Sequence, residues 1–128
     1  MPAPTPKHIL VIDDEPVWLS VIQQYLQDGG YTVATARSGA EALTMLSTFT
    51  PDLIFSDVRM PDMNGFDLVE TIKRRPTTRT TPVVFVSAID DYDARRVARD
   101  LGASEYLVKP IDAKDVGSVL LRHFPRPR

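Results

Sequence analysis

The chain has 128 residues, a length that suits one domain, and its 43% of hydrophobic residues is enough to form a core. Its formal net charge of −2 provides no basic field for nucleic acid or an anionic membrane, so we expect direct binding to neither. The lack of cysteine excludes disulfides and thiol chemistry. No apolar run approaches the roughly 20 residues that span a bilayer. A cytoplasmic location is therefore the default expectation.

Five short apolar runs punctuate the chain, each with the length of a buried strand. Because most of them are continuous rather than alternating, they favour strands that are covered on both faces, as in a parallel sheet. The predicted strands are 9–12, 31–34, 53–55, 83–86 and 106–108.

Segments with helical periodicity lie between and after these runs. The alternation of strand and helix predicts an α/β, flavodoxin-like, doubly wound (βα)5 fold with helices on both faces of a five-stranded parallel sheet. The residues predicted to face the core are Val17, Val21, Ile22, Tyr25 and Leu26 in the first helix, Ala42, Leu43 and Leu46 in the second, Leu68, Val69 and Ile72 in the third, Ala94, Val97, Ala98 and Leu101 in the fourth, and Val116, Val119 and Leu120 in the fifth.

Four of the five strands end in a polar residue. Asp13 and Asp14 follow the first strand, Asp57 the third, Ser87 the fourth and Lys109 the fifth. Ligands of open α/β sheets bind at the carboxyl ends of the strands, where the strand order reverses. These residues are therefore the candidate site.

Two strand orders are plausible, and the acids help to choose between them. In the order 2-1-3-4-5, strands one and three are about 5 Å apart, so Asp13, Asp14 and Asp57 form one acidic pocket. Carboxylates at that spacing repel each other by ~3 kcal/mol per pair at an effective dielectric constant of about 20. Such a pocket needs protons or a cation, and its oxygen ligands favour Mg²⁺ or Mn²⁺.

Lys109 would add a positive charge to this rim and Ser87 a hydroxyl donor. A metal, a lysine and a hydroxyl together suit a phosphoryl group, because they neutralise its oxygens while a nucleophile attacks in line. The acids lie at the centre of the pocket, so the nucleophile would be a carboxylate, and we choose Asp57.

Taken together, these residues resemble the receiver domain of two-component response regulators, the CheY-like family. The resemblance runs from residue 9 to about residue 124 and depends on several motifs in one order. The motifs are Asp13-Asp14-Glu15-Pro16, Asp57 followed by Met60-Pro61 and Asn64-Gly65, Ser87-Ala88, and Lys109-Pro110.

The resemblance implies that Asp57 accepts a phosphoryl group from the phosphohistidine of a sensor histidine kinase or phosphotransfer protein. Lys109 and Ser87 would bind the phosphoryl oxygens, and the Lys109-Pro110 bond would be cis. The Mg²⁺ ligands that the resemblance implies are Asp13, Asp14, Asp57 and the backbone carbonyl of Arg59.

The resemblance also implies a switch. Tyr106 would swing inward when Ser87 moves toward the phosphoryl group, and the surface of the fourth helix, fifth strand and fifth helix would change shape for a partner or an output domain. A phosphorylation-dependent homodimer is a further partner that it allows. Arg59 and Ile89 occupy positions that influence the lifetime of the phosphoryl group in the family.

Other interpretations fit less of the sequence. A phosphorylation-independent interaction module of the same fold would lack an acid or the lysine, and all are present. An aspartyl phosphatase usually has its two acids in the pattern Asp-x-Asp, and a flavin carrier needs a Ser/Thr/Gly-rich loop after strand one, where this chain has Asp13, Asp14 and Glu15. We therefore expect a signalling domain rather than an enzyme, with at most self-phosphorylation from phosphodonors and autodephosphorylation.

The expected domain boundaries follow from composition. Residues 1–7 are rich in proline and read as a flexible tail, and residues 8–124 form the receiver domain. Residues 125–128 would be a tail or the beginning of a linker.

Overall fold

The computed structural model describes residues 7–125, in which five strands alternate with five helices as predicted. The strands begin and end within two residues of their predicted limits. The strands are β1 (His8–Ile12), β2 (Thr32–Ala36), β3 (Leu53–Ser56), β4 (Val83–Ser87) and β5 (Glu105–Val108). The helices are α1 (Pro16–Asp28), α2 (Gly39–Leu46), α3 (Gly65–Arg74), α4 (Tyr92–Asp100) and α5 (Ala113–His123).

The strand order confirms the one that the acids favoured. All strands are parallel, in the order β2-β1-β3-β4-β5, so the direction of winding reverses between β1 and β3. Ile12 of β1 is paired with Ser56 of β3, and the next residues along the two strands are Asp13 and Asp57. The register therefore brings these two acids to the same level of the sheet.

Two apolar layers cover the sheet, one on each face. Ile9 and Val11 of β1 pack with α1 and α5, whereas Leu10 and Ile12 pack with α2, α3 and α4. This division follows from the alternation of side chains along a strand. Each central strand is buried on both faces, which explains why its sequence is continuously apolar.

The core-facing residues of two helices were predicted only in part. In α1 the buried face is Leu19, Ile22 and Leu26, whereas Val17 is 70% exposed. Val17 lies two residues before Leu19, about 200° around the helix, and therefore faces away from the sheet. In α4, Val97 is 37% exposed, because the helix packs through its small alanines.

The predicted tails fall mostly on residues 1–6 and 126–128, which lie outside the described residues, and the domain boundaries stay a prediction. None of the described helices is long and apolar enough to cross a membrane.

Candidate phosphoryl-acceptor site

Asp57 is held at the end of β3 by the backbone on both sides. Its N–H donates to the carbonyl of Ile12 at 2.9 Å, which continues the pairing of β3 with β1. Its Oδ1 accepts a hydrogen bond from the backbone N–H of Val58 at 2.7 Å. These hydrogen bonds fix the direction of the carboxylate. Only 5% of the residue is exposed.

The predicted acidic pocket is present. Asp13, Asp14 and Asp57 each offer a carboxylate oxygen, and these oxygens lie within 4.8 Å of one another. Asp13 and Asp57 are buried, and Asp14 is half-buried at the rim. Three carboxylates with oxygen donors only, one of them open to solvent, fit a hard divalent cation such as Mg²⁺ that keeps several waters.

Lys109 already supplies a positive charge inside this pocket. Its Nζ lies 2.9 Å from Asp13 Oδ2, 3.3 Å from Asp57 Oδ2 and 3.1 Å from Glu15 Oε1. The Lys109 side chain is only 5% exposed. Burial lowers the pKa of Lys109, but its hydrogen bond to Asp13 and the charges of Asp57 and Asp13 outweigh this, so that its pKa is raised overall.

Asp57 titrates unlike an ordinary aspartate. Burial raises its pKa, and the nearby charge of Asp13 raises it further, whereas the ammonium of Lys109 and the Val58 N–H lower it. The result is a pKa of about 6. Burial and the neighbouring acid thus disfavour the charged form of Asp57, and the lysine ammonium opposes them.

Ser87, Ile89 and Tyr106 form a chain of hydrogen bonds that leads away from the pocket. The buried Ser87 Oγ accepts from the backbone N–H of Ile89 at 3.1 Å. The Tyr106 hydroxyl donates to the carbonyl of the same Ile89 at 2.7 Å. Burial raises the pKa of Tyr106, so the hydroxyl stays protonated and able to donate. A change at Ser87 can therefore reach Tyr106 through one residue.

Comparison with known proteins identifies the family of this fold and site. A model of the response regulator receiver domain matches residues 9–120. The chain belongs to this family.

Two relatives and one solved structure illustrate the receiver-domain likeness. The response regulator PleD of Caulobacter vibrioides is 41% identical over 104 residues, which are 81% of this chain and 23% of PleD. Protein RcaC of Microchaete diplosiphon is 31% identical over 123 residues, 96% of this chain and 19% of RcaC. The chain thus spans about a fifth of the length of these relatives. The chemotaxis response regulator CheY4 of Vibrio cholerae superposes with a TM-score of 0.88 at 31% identity, covering 94% of this chain and 100% of that chain.

Receiver domains are signalling domains that bind Mg²⁺ at an acidic pocket, and in this structure Asp13, Asp14 and Asp57 form an acidic cluster. The Lys109-Pro110 bond is cis, as the resemblance implied. Arg59 and Ile89 both line a groove of about 300 Å³ beside the site, Arg59 exposed and Ile89 half-buried.

Some residues of this receiver site were not predicted to act there. The sequence identifies Glu15 only as part of a motif, yet its carboxylate contacts the Lys109 ammonium. The sequence predicts no role in the site for Trp18, yet the same ammonium lies over its ring, 5.6 Å from the ring centroid. Glu15 and Lys109 are 94 residues apart in the chain, and a contact over such a separation leaves no periodic signal in a sequence.

Proposed function

We propose that this receiver domain accepts a phosphoryl group on Asp57 from the phosphohistidine of a sensor histidine kinase or phosphotransfer protein. The observation that supports this most strongly is the Asp57 carboxylate, buried among acids and 3.3 Å from the Lys109 ammonium. A buried acidic cluster is costly for stability, and this one lies at the edge of the sheet that the carboxyl ends of the strands form.

The transfer step is a displacement at phosphorus. An oxygen of the Asp57 carboxylate forms the new O–P bond while the P–N bond of the donor breaks, and the imidazole nitrogen leaves with the electron pair. Lys109 and the Ser87 hydroxyl would neutralise charge on the transferred oxygens. The Val58 N–H keeps the carboxylate from rotating away from the donor.

A divalent cation completes this proposal. Asp13, Asp14, Asp57 and the backbone carbonyl of Arg59 would hold Mg²⁺ or Mn²⁺, partly through water. When bound, the ion supplies positive charge that offsets the negative charge of the carboxylates and the phosphoryl oxygens.

The proposed output surface is formed by α4, β5 and α5. When the Ser87 hydroxyl turns toward the phosphoryl group, the Ile89 N–H loses its acceptor, and the backbone that carries the Ile89 carbonyl shifts. Tyr106 is bonded to that carbonyl and would follow it inward. The new surface would bind a downstream partner, an output domain or a second phosphorylated copy. We propose that the protein is located in the cytoplasm, where such kinases act on their regulators.

Intact mass spectrometry tests the central step. The protein is incubated with acetyl phosphate in the presence and absence of Mg²⁺. We expect one added phosphoryl group that requires Mg²⁺ and is absent from Asp57→Asn. If Asp57→Asn still takes up the group, or the unchanged protein never does, the proposal is wrong.

The lifetime of the phosphoryl group is a separate proposal. The groove beside Asp57 is lined by a long cation, Arg59, and an apolar side chain, Ile89, which would hinder the attacking water. The double variant Arg59→Asn with Ile89→Glu should therefore change the half-life of the phosphorylated protein by about tenfold, since each factor of ten corresponds to about 1.4 kcal/mol in the barrier. An unchanged half-life would contradict this role.

A phosphorylation-independent interaction module is not favoured by the structure. Burying the three charges of Lys109, Asp13 and Asp57 costs free energy that must be offset. An interaction module that is not phosphorylated would not need this buried contact. We likewise propose no enzyme activity toward other molecules beyond self-phosphorylation and autodephosphorylation.

A further inference from the structure

The Lys109 ammonium has a fourth neighbour, which is aromatic. The ammonium lies over the ring of Trp18, 5.6 Å from the ring centroid. A lysine has three N–H donors, and those of Lys109 face the carboxylates of Asp13, Glu15 and Asp57. The tryptophan ring lies beside this ammonium in a site where only 5% of the lysine side chain is exposed.

Local sequence explains how Trp18 reaches this position. Pro16 begins α1 immediately after the acidic turn, Glu15 is the N-cap of this helix, and Trp18 lies in its first turn, three residues after Glu15. The half-buried ring also packs against the apolar layer between the sheet, α1 and α5. Both anchors make the ring a rigid surface for the lysine.

We propose that Trp18 is a positioning residue that holds the Lys109 ammonium against Asp57. This inference relies on the proposed function, in which Lys109 must meet the transferred oxygens. A flexible four-carbon side chain has many rotamers, and a cation–π contact in a site shielded from water restricts them more strongly than one at an exposed surface. Glu15 alone would be a weak restraint, because its side chain is more than half exposed.

Nuclear magnetic resonance of the unchanged protein gives the first test, and it does not depend on phosphorylation. The ε-methylene protons of Lys109, next to an ammonium that lies over an indole face, should resonate upfield of those in exposed lysines. The upfield shift should be smaller in Trp18→Phe and lost in Trp18→Leu. Ordinary Lys109 chemical shifts in the unchanged protein would overturn the proposal.

Phosphorylation kinetics give the second test. With acetyl phosphate and Mg²⁺, we expect Trp18→Leu to be phosphorylated about tenfold more slowly than the unchanged protein, and Trp18→Phe, which keeps an aromatic face, to recover most of the rate. Equal rates in Trp18→Leu and the unchanged protein would overturn the positioning role.

Tyr25→Leu is the matched control. Tyr25 is also a half-buried aromatic residue of α1 and packs against the same apolar layer, two turns further along the helix. Its loss should lower the thermal stability as much as that of Trp18→Leu, without slowing phosphorylation. If Tyr25→Leu slows the reaction equally, Trp18 acts only through packing. If the unchanged protein takes up no phosphoryl group, the proposed function fails, while the lysine chemical shifts still decide the inference.

Discussion

Lys109→Met is expected to lower the free energy of unfolding of the metal-free protein by about 3 kcal/mol at pH 7. Methionine keeps most of the apolar length of the side chain but leaves Asp13 and Asp57 buried without their common cation. Removing one partner of a buried ion pair is costly, because the remaining charge is neither solvated nor compensated. Chemical denaturation followed by circular dichroism measures the change.

The destabilisation by Lys109→Met should depend on pH in a definite direction. The folded-state pKa of Asp57 is about 6, above its ordinary value of 3.8, so the folded protein binds this proton more tightly than the unfolded chain does. The resulting stabilisation is fully present below about pH 4 and is lost as the pH rises through about 6. Without the lysine charge the pKa of Asp57 rises further, so the difference between variant and unchanged protein should grow from pH 4 to pH 7.

Lys73→Met provides the control for this experiment. Lys73 is half-buried, but its ammonium donates to a neutral backbone carbonyl, that of Thr81, at 2.5 Å. Burial alone lowers the pKa of Lys73. We expect a loss of about 1 kcal/mol with no pH dependence between 4 and 7. Equal losses in both variants would contradict the compensating role of Lys109.

Gly65→Ala is expected to destabilise the protein by about 3 kcal/mol and to slow phosphoryl uptake at least tenfold. A Cβ at Gly65 would lie 2.1 Å from the carbonyl oxygen of Asp57 and 2.9 Å from the Cα of Val58. Both neighbours are backbone atoms of the acceptor segment, and the Gly65 N–H also donates to the Val58 carbonyl at 2.6 Å. Any side chain must therefore displace α3 or Asp57 itself.

Gly117→Ala is the matched control for Gly65→Ala. Gly117 lies in the middle of α5, and nothing is within 4 Å of the position of its Cβ. Because glycine costs a helix up to about 1 kcal/mol relative to alanine, this variant should be slightly more stable than the unchanged protein. If Gly65→Ala resembled it in stability and in phosphorylation rate, the close approach to Asp57 would be of no consequence.

Much of the fold was predictable because it depends on local pattern. The continuous apolar run of β3 and the alternation of strands with helices depend only on which residues must leave water. The strand order was predictable for a different reason: Asp13 and Asp57 make chemical sense only if β1 and β3 are neighbours. Where the pattern was weak the prediction was wrong, as at Val17, because a single apolar residue in the first turn of a helix does not define its buried face.

The residues of the candidate site could be predicted from the sequence, because a polar residue at the end of a buried apolar strand costs free energy and so indicates a function. These residues are Asp13, Asp14, Asp57, Ser87 and Lys109. Their connections could not be predicted. That the lysine neutralises the acids, that Trp18 lies under it and that Gly65 has no room for a side chain beside Asp57 all depend on side chains from distant segments. Such contacts arise only when the sheet closes, because distances of a few ångströms between residues far apart in the chain are set by packing and not by local preference.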